Sequence, residues 1–144
     1  MNKEKLLKLA DHLENGKLGH KKFDYNFYNL NKEGSKFEPY SCGYAGCAIG
    51  ECPIAFPNDW EFNKNNDPCL KNELCPSDSA EKFFDINYTE FVFLFIPGRE
   101  LYMDNDEITY SPGSMATKKQ IALHIRKFVA NNGIYKRKPS KTFV

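Results

Sequence analysis

The chain has no apolar run long enough to cross a bilayer. Even the stretch Phe91 to Ile96 falls far short of the roughly 20 residues a span needs. It also lacks an excess of charge of either sign: 20 Lys and Arg against 19 Asp and Glu leave a net charge of +1. That balance announces neither a nucleic-acid binder nor an acidic mimic. Residues 1–17 carry charges throughout, which excludes a secretory apolar core there. No Cys-x-x-Cys pair occurs, whereas zinc sites of small domains usually show one. Phosphate loop, dinucleotide fingerprint and serine elbow are all absent. Histidine is scarce, limited to His12, His20 and His124, so there are few candidates for a catalytic base.

Against these absences stands one dense stretch, Tyr40 to Phe56, YSCGYAGCAIGECPIAF. It holds three of the five cysteines, three of the nine glycines and a single charged residue, Glu51. Taken as a helix, it is capped by Ser41, begins at Cys42 and is limited by Pro53. Gly43, Gly46 and Gly50 then share one side, where another backbone or a ligand can approach closely. Each glycine costs a helix about 1 kcal/mol relative to alanine. Such a helix needs burial to survive, so the expectation is a short central helix over residues 41–52.

The remainder reads as one domain over residues 1–134, followed by a basic tail, 135–144. Asn2 caps a first helix with the apolar stripe Leu6, Leu7, Leu9, Ala10 and Leu13, ended by Gly16. Residues 17–39 alternate lysines with aromatics, as one short strand or an anchored loop. Residues 57–76 read as a long polar loop anchored by Trp60, Phe62 and Leu70. Ser77 or Ser79 caps a helix through Phe84, and Asn87 or Thr89 caps another over TEFVFLFI. The aromatic and β-branched content of that run also suits a strand turning at Pro97-Gly98, but the cap favours helix. Ser114 or Thr117 starts a last helix, with Ile121, Ile125, Phe128 and Val129 inward and Asn132-Gly133 at its end. The fold class expected is mainly α: about five helices around a Cys/Gly-rich centre, with at most a minor strand pair.

Leu6 to Leu13, Cys42 to Gly50, Ala80 to Phe84 and Ile121 to Val129 carry a resemblance. Their order resembles a group of small uncharacterised bacterial and phage proteins with a Cys-Gly…Cys-Ala-x-Gly central helix. The group more often has Thr where this chain has Tyr44, and as a rule lacks a counterpart of Glu51-Cys52-Pro53. The resemblance implies a mainly helical domain and carries no established activity.

Three chemistries compete with a structural reading. A thiol at a helix N-terminus is biased toward thiolate, which makes Cys42, and after it Cys47, a candidate nucleophile with His20 or His124 as base. The papain-like Cys-Gly-Ser-Cys-Trp pattern is missing, however, and a buried structural thiol is the simpler account. For a metal, Cys42, Cys47 and Cys52 diverge by about 140° per step on a helix, and only Cys52, Cys69 and Cys75 could meet. Asp104 to Glu107 lacks the glycine and distal glutamate of a calcium loop. The basic and aromatic residues 17–37 are interspersed with acids, which favours a solvated surface over nucleic-acid binding. The expectation is therefore a cytoplasmic binding or interaction protein of phage type, without cofactor or metal. Gly43, Tyr44, Gly46, Gly50 and Trp60 would contact a partner protein or small ligand. The alternatives are a cysteine-dependent hydrolase or transferase using Cys42, and a thiolate metal domain.

Overall fold

A computed structural model describes residues 1–19, 22–23, 45–65, 67–73, 75–98, 100–102, 108–113 and 115–133. The first helix, α1 (Lys3–Asn15), begins where the Asn2 side chain accepts the Lys5 amide at 3.1 Å. Leu6, Leu9, Ala10 and Leu13 are fully buried, while Leu7 is 39% exposed and leaves the expected stripe. Each buried leucine contributes about 1.5–3 kcal/mol from area removed from water.

The largest interface of α1 is with the last helix, α5 (Lys118–Ala130). Arg126 of α5 reaches Glu14 and Asp11 at 2.6 and 2.8 Å, and Lys3 bonds Asn132. Rising numbers along α1 thus meet falling numbers along α5, so the two helices run antiparallel. Thr117 and Gln120 close a reciprocal capping box at the start of α5. At its far end Asn132 and Gly133 both take positive φ, and the Gly133 amide bonds the Phe128 carbonyl.

Between these helices lie α2 (Cys52–Ala55), α3 (Pro76–Phe84) and α4 (Tyr88–Phe95). Helix α3 begins at Cys75 with Pro76 in its first turn, ahead of the expected serine caps. Ser79 instead is buried and accepts the Leu70 amide at 2.9 Å. The run is helical over Tyr88–Phe95, because Asn87 and Glu90 form a capping box at its start, and Ile96 is its extended C-cap. Its Phe91, Phe93, Leu94 and Phe95 are buried. After Pro97-Gly98 the chain enters β5 (Glu100–Tyr102), which pairs antiparallel with β6 (Ile108–Tyr110) rather than with the preceding helix.

Two expectations require correction. Residues 41–52 do not form one helix. Ala45–Gly46 is a strand, β2, paired in parallel with β1 (Lys22–Phe23). Residues 48–51 then turn, with the Glu51 amide on the Cys47 carbonyl at 3.0 Å, and α2 follows as a single turn. Pro53 is the second residue of that turn instead of the limit of a helix. Gly46 and Gly50 lower helix stability, and a proline without an N–H fits the first turn of a helix and not its interior. Interior placement does hold: Cys47, Ala48, Ile49, Gly50, Glu51, Cys52 and Pro53 are all buried. Residues 41–44 lie outside the described set, as does the tail 135–144.

The stretch 57–76 is likewise no plain loop. It contains an antiparallel hairpin, β3 (Trp60–Phe62) against β4 (Pro68–Leu70), in register Trp60↔Leu70, Glu61↔Cys69 and Phe62↔Pro68. Asn63 builds the connection by accepting the amides of Asn65 and Asp67. The described architecture is therefore mainly α, with strands confined to three two-stranded pairs. Among the described residues no helix is long and apolar enough to cross a membrane.

The core joins the faces of all five helices around an aromatic cluster. Phe83 stands edge-on to Phe56 and to Trp60, with ring centroids 4.8 and 5.7 Å away, and Phe84 packs on Phe95.

Candidate functional site

The two described thiols of the central segment, Cys47 and Cys52, are enclosed. Cys47 is 3% exposed, and burial, assisted by the charge of Glu51, pushes its thiol up to about 12. Burial also raises Cys52 well above the ordinary thiol value, as do Cys47 and Glu51 beside it; its sulfur donates to the Ala48 carbonyl at 3.6 Å. Cys69 is raised by burial and then by Glu61. Cys75 is half-buried, and its sulfur lies 3.0 Å from the Ser77 hydroxyl. The thiols of Cys47, Cys52 and Cys69 are held protonated, the opposite of what a nucleophile requires.

His124 does not supply a base to any of them. Its Nε2 donates to the Phe93 carbonyl at 2.8 Å, and its ring lies against Phe93. Burial lowers its pKa, with the neighbouring Lys127 adding in the same sense. This is a satisfied structural histidine. Among the described residues no histidine bonds a cysteine, and no three ligating side chains of His, Cys, Asp or Glu converge. Cys42 and His20 lie outside the described residues, as do Gly43 and Tyr44.

Of the remaining expected contact residues, Gly46 belongs to β2 and Gly50 is buried in the following turn. Trp60 is 1% exposed within the aromatic cluster, and its indole N–H finds no acceptor. Gly50 and Trp60 are thus interior residues, because the turn and hairpin fold inward at these points. What the hairpin does offer outward is a cleft of ≈ 590 Å³ lined by Glu61, Phe62, Asn63, Lys64, Asn65, Asn72 and Glu73. Asn72 adopts a positive φ of 71° there, and Glu73 pairs with Lys82 of α3 at 2.8 Å.

The least expected feature is Glu51. Its side chain is 0% exposed, yet it is a carboxylate, and Oε1 receives two groups: the Gly19 amide at 2.9 Å and His12 Nε2 at 2.8 Å. Helix α1 places His12 one turn before its end, and the residues just beyond α1 bring Gly19 back over α2. A Cβ on Gly19 would come within 2.2 Å of Ile54 Cγ1, so the glycine permits this approach. One signal for the pair was present in the sequence: Glu51 is the only charged residue between Tyr40 and Phe56. Nothing in the sequence, however, links it to a histidine 39 residues away. His12 also borders a second cavity, ≈ 390 Å³ between α1 and α2. No family model matches the chain, and no curated protein and no solved structure is detectably similar to it.

Proposed function

We propose that this is a cytoplasmic binding protein that engages a partner through the β3–β4 hairpin and its polar cleft. A phage origin belongs to the same proposal and rests on the resemblance in residues 6–13 and 42–50. The observation that carries it is the combination of an open cleft with a foot fixed in the core. Trp60 and Cys69 are buried, while the cleft displays Glu61, Lys64, Asn65 and Glu73 on its walls. Charged and amide groups on a hairpin anchored in this way are presented without a large ordering cost, which favours recognition. The cysteine-enzyme reading draws no support from Cys47, Cys52 or Cys69, whose thiols are raised by burial.

The test is affinity purification from the source cell with the full chain as bait, beside the variants Glu61→Lys and Lys64→Glu. The expected result is a protein retained by the wild type and lost from both variants while their circular dichroism is unchanged. A partner retained equally by all three baits overturns the hairpin assignment. A cysteine alkylated by iodoacetamide far faster than the others at pH 7 would favour the enzyme instead.

A further inference from the structure

The cavity between α1 and α2 holds a histidine with one nitrogen committed and the other not. Glu51 Oε1 already accepts the Gly19 amide, so it faces His12 as an acceptor and Nε2 carries the hydrogen. In the neutral form of the ring the lone pair then falls on Nδ1, which bonds nothing among the described residues. Gly16 shares this wall of the cavity. Its φ and ψ, −81° and 168°, are open to any residue. A Cβ there would nonetheless stand 2.8 Å from Nδ1 and 2.7 Å from the His12 carbonyl, so glycine keeps the space beside Nδ1 clear. Ile54 and Ala55 supply an apolar wall. The charges nearby are turned to other groups: Asp11 pairs with Arg126, and the Lys8 ammonium lies 5.2 Å from the centroid of the Phe56 ring.

We infer that this cavity is a binding site for a small apolar molecule carrying one hydroxyl. The hydroxyl donates to His12 Nδ1, and the apolar body rests on Ile54 and Ala55. The buried Glu51 acts on the ligand only by fixing the tautomer, as a carboxylate does for a metal-bound or catalytic imidazole. A site that pairs with a hydroxyl discriminates against the same shape lacking it, because the acceptor is then left without a partner. This site is separate from the hairpin, so either can fail without the other.

The probes are phenol and toluene, added at millimolar concentration to isotope-labelled full-length protein and followed by NMR. The free protein is expected to show His12 protonated on Nε2. Phenol should shift Nδ1 and the Ile54 and Ala55 methyl signals along one saturable curve, with toluene about tenfold weaker. His12→Gln should bring phenol down to the level of toluene. If that variant unfolds, Ala55→Leu, which fills the cavity without touching the dyad, should abolish both responses. Protonation on Nδ1, equal binding of the two probes, methyl shifts without an Nδ1 shift, or no saturation would each overturn the inference.

Discussion

At the scale of single residues, the chemistry of this chain is set by enclosure. Cys47 stands in the sequence as the second candidate nucleophile after Cys42, yet the small residues around it let the core close over it. Its thiol, near 9.0 when unperturbed and about 12 when folded, binds its proton more tightly in the native state. Above the unfolded value the native chain therefore holds more protons than the unfolded one, and stability must fall as pH rises. That contribution is whole below pH 9 and is lost at about 1.4 kcal/mol per pH unit toward pH 12. Urea unfolding between pH 8 and 11 should show a declining midpoint, and Cys47→Ala should flatten the decline. In the native protein at pH 8, Ellman's reagent should leave Cys47 and Cys52 unmodified until denaturant is added.

At the scale of elements, local signals decided where helices begin. Asn2, Asn87 and Thr117 each cap the helix that follows, and all three are readable because a cap and its partner lie within three residues. The run over Thr89 to Ile96 shows what a cap decides. Its aromatic content suits a strand, but the Asn87–Glu90 box satisfies the first amides of a helix. Asn87→Ala should cost about 1 kcal/mol and speed amide exchange at residues 88–91, with the β3–β4 hairpin unaffected. Equal loss of protection everywhere would mean that α4 forms through core contacts and not through its cap. The hairpin itself was illegible because strands of three residues are too short to display a period of two. Its turn is written in one asparagine side chain, Asn63, within a segment already rich in Asn and Asp.

For the molecule as a whole, the His12–Glu51 contact ties the outer helix pair to the interior turn. Glu51 is fully buried, and taking away one of the donors its Oε1 receives leaves the carboxylate short of a hydrogen bond. His12→Ala should therefore lower stability by about 2 kcal/mol in urea unfolding at pH 7. Replacing both groups together, His12→Leu with Glu51→Met, should recover a large part of that loss. A single-variant cost below about 1 kcal/mol would show that His12 is not what keeps the carboxylate inside. The same pair explains why the candidate site escaped a reading of the sequence: its two members lie 39 positions apart and on different elements.

By itself the sequence determined the long helices, since caps and a repeating apolar face act over distances the chain displays directly. It also determined that residues 47–53 belong inside, because nothing in that segment but Glu51 resists burial. Tertiary structure alone decided the conformation of that segment and the partner of its one charge. Gly46, Gly50 and Pro53 leave its backbone with no strong preference of its own, so the surrounding helices select the shape. Glu51 settles on His12 and Gly19 because packing brings them within reach.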